Sequence, residues 1–460
     1  MYTRLPTLAL ALLLAGCGSA LQSDYQRPAV AMPAQWQGTA ITGPQVASGE
    51  RWWQRFGDPQ LDALIDKALR SNNDLAAATI RVQRARLQAG LTDTNLTPSV
   101  TVGAGGNVQQ DLKEGGRSVR SYNATASLSY EIDLWGKLAR QRDAAAWEAN
   151  ATELDRRNTA LALIGTTAQL YWQIAYLNQR IASAEASLAY TEKTLALVHV
   201  QHKAGAVAGL DEVQAAQSVA TQQATLVNLQ QQREEARNAL AILFDQAPQQ
   251  RELELAALPQ TPLPTVPEGI PADVLARRPD LQAAEWRLRA SMANVDATRA
   301  SFYPAFTLTG SVGSVSTNLG NVLSNPIGTL GAGLTLPFLQ WNTTQLTIKV
   351  SQADYQLAVV QFRQALYKAL ADVENALSAR SHDLQEGEAL QRAFDLARRS
   401  ETLAEVRYRA GKTGVKDWLD QQQARRAIEI TLAENRYRQL NDLMKLYQAL
   451  GGDVVDNTLD

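Results

Sequence analysis

The chain superimposes on itself at one constant offset. Asp74-Leu75, Ala77-Ala78 and Arg81 return as Asp280-Leu281, Ala283-Ala284 and Arg287, while Pro98, Thr101 and Trp135 return as Pro304, Thr307 and Trp341. Ala204-Gly205, Asp211 and Gln217 return as Ala410-Gly411, Asp417 and Gln423, each pair 206 positions apart. Solenoid units run roughly 20–50 residues, so this is a duplication of one large unit, of the kind that builds pseudo-symmetric rings. The first copy takes 54–250 and the second 272–452, with a connector over 251–271 that carries much of a proline-rich stretch, Pro248 to Pro271.

The start reads as an address. Met1-Tyr2-Thr3-Arg4 and an apolar run from Leu5 to Leu14 precede Leu14-Ala15-Gly16-Cys17. The run is too short to cross a bilayer, which takes roughly 20 residues. Small residues before a cysteine are similar to the bacterial lipobox, so 1–16 is expected to be a lipoprotein signal peptide and Cys17 the acylated mature N-terminus. An ordinary signal peptide with an incidental cysteine is the alternative. Gly18 follows where Asp is the usual inner-membrane retention signal, which favours the outer membrane. Cys17 is the one cysteine in 460 residues, so no disulfide forms within the chain and cysteine metal sites are excluded. A net charge of −2 gives no reason to expect nucleic acid. Residues 17–53 read as an extended linker, and 453–460 as a polar, flexible end.

Beyond the signal no apolar run reaches 18 residues, so a membrane crossing would have to be a β-barrel. Two segments carry the period for it. Within about 98–133, Val100 and Val102, then Tyr122 and Leu128, alternate with small polar residues that include Thr101, Thr125 and Ser127. Within about 304–340, Phe306, Leu308, Leu334 and Leu336 alternate with Thr307, Thr309 and glycines. Apolar-out, small-polar-in describes an outer-membrane strand, although a soluble sandwich strand alternates in the same way. Four strands cannot close a membrane barrel, which needs about eight. Three chains sharing one barrel would supply twelve.

The rest reads as helix. A first helix is expected from Asp58-Pro59 to about Asp93, with Asp58 as its cap. From about Lys137 to Lys203 there is no proline, and Leu161, Ile164, Ala168, Tyr171 and Ala175 keep a coiled-coil spacing. Such a helix would run roughly 100 Å. It turns at Gly205 and Gly209 and returns from Asp211 to about Phe244; the second copy runs from about Thr343 to Arg409, turns at Gly411 and Gly414, and returns from Asp417 to Leu450.

Chemistry is scarce. His199 and His202 stand at i, i+3, with no carboxylate obviously joining them, and His382 is alone. There is no nucleophile elbow, phosphate loop or HExxH. A non-enzyme without a cofactor is expected.

With lipobox, duplicated hairpins and split barrel assembled, the chain resembles the outer membrane factors, the TolC-like family, in its lipoprotein branch of OprM/CusC/NodT type. The motifs are Asp24-Tyr25-Gln26-Arg27-Pro28, Trp52-Trp53 with Phe56 and Asp58-Pro59, Tyr130 to Lys137, Arg278-Pro279-Asp280-Leu281 with Glu285, and Arg407-Tyr408-Arg409-Ala410-Gly411 with Leu419-Asp420. The resemblance implies an α+β membrane protein whose four strands per chain join a twelve-stranded barrel shared by a homotrimer. A long antiparallel helical tunnel would continue it into the periplasm. It implies an efflux conduit for drugs or other small toxic solutes, metal ions included, working with a periplasmic adaptor protein and an inner-membrane transporter of the RND type. Asp420 falls at the family's constricting aspartate ring, with Asp417, Arg407, Tyr408 and Arg409 around it; Lys412 and Lys416 depart from the family and leave its bonding partners open. Asp417 also reads as a helix cap. The turn glycines 205, 209, 411 and 414 would meet the adaptor. The competing class is a periplasmic coiled-coil scaffold or adaptor lipoprotein without a pore.

Overall fold

The computed structural model describes residues 22–30, 33, 36, 51–112, 115–264 and 276–452. The signal segment, Cys17, most of the linker, the later part of the connector and the C-terminal end lie outside them.

After a 3-10 turn at Trp52–Phe56, helices α1 (Pro59–Ser71) and α2 (Asn73–Asp93) lead to strands β1 (Ser99–Gln110) and β2 (Ser118–Ile132). Helices α3 (Lys137–Lys203) and α4 (Gly209–Leu243) complete the first copy. The second copy gives α5 (Pro279–Ala300), β3 (Ala305–Ser316), β4 (Ile327–Thr335), α6 (Trp341–Arg409) and α7 (Val415–Ala449). From α2 onward the order of the first copy repeats in the second among the described residues.

One expected element divides. The single helix read from Pro59 to Asp93 breaks at Asn72, whose backbone is extended with ψ 128°. Its Oδ1 accepts from the amides of Asp74 and Leu75 at 3.0 and 3.1 Å, while its amide group donates to the Leu243 carbonyl at 3.0 Å. An asparagine that caps a new helix competes with continuation of the old one. The Asp58 cap stands as read, accepting from Gln60 and Leu61.

The chain forms two compact units. One comprises Met1–Val30, Thr79–Asp155 and Asp280–Ala365. It holds the one sheet found among the described residues, antiparallel throughout, in the order β1-β2-β3-β4 with β1 and β4 as edges. The entry to α3 is fixed here: Asp133 accepts from the Leu138 and Ala139 amides at 3.1 and 2.8 Å, and Trp135 Nε1 donates to the Pro304 carbonyl at 2.8 Å.

The other unit comprises Ala31–Ala78, Arg156–Pro279 and Leu366–Asp460. Its core carries the coiled-coil residues Leu161, Ile164, Ala168, Tyr171 and Ala175, all buried, against Trp52, Trp53 and Ile65 and against Leu443 and Tyr447 of α7. Trp52 stacks on Tyr447 with ring centres 4.9 Å apart. The described part of the connector has neither helix nor strand, yet it is pinned. Glu254 accepts from Arg237 at 2.6 and 2.7 Å, the Leu255 carbonyl accepts from Asn178 at 2.9 Å, and the Pro259 carbonyl accepts from Arg436 at 2.9 Å.

Candidate functional site

Two places carry the features a conduit needs: the sheet of the first unit and the hairpin ends of the second. In the sheet, residues opposite one another across neighbouring strands share a face. Val100 faces Leu128, Tyr130 faces Leu308, and Ile132 and Leu334 both face Phe306. On the other face Thr101 meets Ser127, Ser127 meets Ser311, Thr125 meets Gly103 and Gly313, and Thr309 meets Ser129 and Gly331. The register therefore sorts the strand residues into the two sets that the alternation predicts. Leu336 is the exception, since it lies past β4 at the start of a 3-10 turn. Burial separates the two candidate uses of such a sheet. A sandwich buries its apolar face, but Val102 is 79 % exposed and Leu330 92 %, with Val100, Leu308 and Leu334 also open. An apolar sheet face left open in the monomer marks a surface that something else must cover.

The hairpin ends share one backbone solution. Gly205 and Gly411 adopt left-handed φ of 72° and 68°. The next residue's amide reaches back five residues, Ala206 to the Gln201 carbonyl at 2.8 Å and Lys412 to the Arg407 carbonyl at 3.0 Å. Gly205 and Gly411 themselves donate to the carbonyls of His202 and Tyr408, both at 2.9 Å. These are Schellman closures, which favour glycine because left-handed backbone is costly with a Cβ. Both return helices begin two residues earlier than the aspartates marked them. Asp211 is thus inside α4, bonding back to the Ala208 amide at 3.0 Å, and Asp417 is the third residue of α7, whose cap position is Gly414. Asp417 as N-cap is therefore corrected.

Around these turns the side chains differ. In the second hairpin Tyr408, 7 % exposed, stacks on Trp418, 3 % exposed, with ring centres 5.3 Å apart; Tyr190 of α3 meets the same indole edge-on at 5.8 Å. Burial pushes the Tyr190 hydroxyl up to about 12, helped by Glu405, and raises that of Tyr408 as well. Val198, Ala215 and Val415 complete this small core, and the Tyr408 hydroxyl donates to Gln201. Trp418 and its contact with Tyr408 were not read from the sequence, since only the closed turn brings the two rings together.

Two of the residues expected around Asp420, Tyr408 and Arg409, are engaged elsewhere in the chain. Asp420 accepts from Lys416, one turn earlier on its own helix, at 2.5 Å, which raises the Lys416 ammonium above its usual range. Tyr408 turns to Gln201, and Arg409 pairs with Glu405 at 2.6 Å.

The first hairpin supplies the carboxylate that the sequence left unidentified. Glu212 of α4 bonds His199 Nδ1 at 2.6 Å and lies 3.8 Å from His202 Nε2; its bond to His199 lowers its pKa. Among the described residues no three such groups are arranged to hold a metal ion.

Both halves of the chain match the outer membrane efflux protein family, over residues 64–244 and again over 270–452. The pyoverdine export outer membrane protein OpmQ of Pseudomonas putida is 33% identical, with 92% of each chain covered. A probable outer membrane lipoprotein of Salmonella typhimurium, SilC, is 30% identical, over 98% of this chain and 99% of the other. Among solved structures, the open state of the Neisseria gonorrhoeae MtrE outer membrane channel superimposes with a TM-score of 0.83 at 30% identity, over 94% of this chain and 98% of that one.

Proposed function

We propose, from the premise that this chain belongs to the outer membrane efflux protein family, that three copies close a single barrel and that Asp420 lines its periplasmic constriction. The chain is an outer membrane efflux channel rather than a pore-free scaffold. Members of the family work as trimers within tripartite pumps and are not enzymes.

One observation carries the barrel: a four-stranded antiparallel sheet with two unpaired edges, one open apolar face and one face of hydroxyls and glycines. Unpaired edges are not tolerated in hydrocarbon. Pairing β4 of one copy with β1 of the next satisfies both edges, and three copies give twelve strands. Val100, Val102, Tyr122, Leu128, Phe306, Leu308 and Leu334 then face lipid, while Thr125, Ser127, Thr307 and Thr309 face water. The helical hairpins continue the path as a periplasmic tunnel. Cys17 carries the lipid, and the turns at Gly205, Gly209, Gly411 and Gly414 meet a periplasmic adaptor that links the channel to an RND-type transporter. As the name of OpmQ assigns that relative to pyoverdine export, the cargo proposed here is a small solute handed over by the transporter.

At the constriction, three copies of Asp420 form a ring that draws cations to the mouth, each carboxylate tied to its own Lys416. Asp417, Arg407, Tyr408 and Arg409 set its surroundings. In planar bilayers, Asp420→Ala, alone or with Tyr408→Phe, should leak more than wild type. Equal conductance, in variants that still migrate as trimers before boiling, would remove Asp420 from the gate.

A further inference from the structure

The first hairpin end holds two of the chain's three histidines, and they stand in different relations to one carboxylate. His199 Nδ1 lies 2.6 Å from Glu212 Oε1, so this nitrogen carries a proton and donates to the carboxylate whether the ring is neutral or charged. His202 is held another way. Its Nδ1 lies 3.1 Å from the Val207 carbonyl, five residues on within the turn. A carbonyl only accepts, so Nδ1 carries the proton and the neutral ring has a bare lone pair on Nε2. That Nε2 faces Glu212 Oε2 at 3.8 Å. Neutral His202 therefore sets a lone pair against a carboxylate, whereas charged His202 sets an N–H against it.

The surroundings favour the charged pairing. His202 is the last residue but one of α3, and Glu212 lies in the first turn of α4. Cations are stabilised at helix C-termini and anions at N-termini. The ring already rests on the start of α4, since a Cβ added to Gly209 would sit 3.6 Å from His202 Cε1 and 3.9 Å from Nε2. Both histidine side chains are close to half exposed, so they exchange protons with bulk water without any opening of the fold. The other titratable groups at this end are Lys203 beside His202 on α3, Asp211 on α4, and Tyr408 from α6, whose hydroxyl donates to Gln201. From α7 the small core takes Val415 and Trp418, neither of which titrates.

The duplication supplies the comparison. At the matching positions the second end has Glu405, Tyr408 and Trp418 in place of His199, His202 and Glu212, and Thr413 in place of Val207. Its turn closes by the same backbone bonds. The histidines are thus not needed to make the turn.

We propose that His202 is a proton-operated latch at the first hairpin end: charged, it joins the last turn of α3 to Glu212 of α4, and neutral, it keeps only its bond to Val207. Imidazoles change charge between about pH 5 and 8, so the latch closes as pH falls through that range. It opens again in stronger acid. The bond from His199 lowers the Glu212 pKa, and the carboxylate loses its charge as pH falls through that lowered value. The first end is therefore stiffest in a window on the acid side of neutrality. This end is also where a periplasmic adaptor is proposed to dock, so its stiffness would alter the surface offered there. That consequence rests on the docking proposal; the latch does not.

A nitroxide on Ala206→Cys of the purified full-length protein tests it, read from about pH 8 to about pH 5, with a label on Thr413→Cys as the control. The label at 206 should lose mobility in one step over this interval, and the label at 413 should show none. His202→Gln keeps a donor for the Val207 carbonyl but has no charged form, so it should abolish the step. Glu212→Gln should do the same and covers the case in which His202→Gln fails to fold. His199→Gln should keep the step, because the His199 bond does not wait for a second proton. No step in wild type, an equal step at 413, a step that survives His202→Gln, or one that vanishes in His199→Gln alone overturns the latch.

Discussion

The two hairpin ends begin from the same ancestral turn and have become different objects. Each closes through a glycine at positive φ with the same pair of backward hydrogen bonds. At matching positions, however, the first has His199, His202, Leu210, Glu212 and Gln214 where the second has Glu405, Tyr408, Lys416, Trp418 and Asp420. The turn geometry is preserved because the backbone requires it. The side chains are free to diverge.

The largest expected contrast lies in packing. Trp418 is buried between two tyrosines, whereas Glu212 at the matching place is bonded at the surface. Trp418→Ala should cost the second end about 3–5 kcal/mol, and Glu212→Ala, at an exposed carboxylate, should leave the first end nearly unchanged. Hydrogen exchange over 404–420 and 198–214 measures both. Comparable losses at the two ends would mean that the aromatic core does not distinguish them. The turns themselves should behave alike: Gly205→Ala and Gly411→Ala should each cost about 1–2 kcal/mol, the cost of placing a Cβ in left-handed backbone. Neither position has a neighbour within 4 Å to add a clash, so clearly unequal costs would break the equivalence.

How far these features were legible depends on their range. Alternation and spacing are local, so the four strands, the long helices and the seam from Leu161 to Ala175 were read correctly. The break at Asn72 was missed because its cap competes with a strong helical pattern and is completed by Leu243, 171 residues away. Likewise the sequence held Glu212 and both histidines, but only the fold brings them together across the turn. Asp417 was misplaced as a cap because a helix start is set by backbone bonds, and Gly414 fills the cap position without a side chain. The open apolar face of the sheet could not be told from a buried one until its exposure was known.

A smaller effect separates the ends by charge. Lys416 and Asp420 are both well over a third exposed, so solvent screens most of their attraction. Lys416→Met should therefore barely alter the stability of α7 while freeing the Asp420 carboxylate, and cation conductance should change more than melting. A variant with the reverse pattern would make Lys416 a structural residue instead.

The smallest difference is one of pH. Lys416 is raised by its bond to Asp420 from an ordinary 10.5, so its contribution is complete below that value and is lost as pH rises through the raised one. Glu212 is lowered by its bond to His199 from an ordinary 4.5, so its contribution is present above that value and is lost as pH falls through the lowered one. The first end has Leu210 where the second has Lys416 and so lacks the alkaline limb. Spin labels on Ala206→Cys and Thr413→Cys can report the two ends separately, since Cys17 is the one native cysteine. Above about pH 10.5 the label at 413 should loosen while that at 206 does not, and below about pH 4.5 the label at 206 should loosen. Equal alkaline loosening at both labels would show that the backbone turn, not the Lys416 pair, is what base disrupts. The two ends would then differ in packing alone.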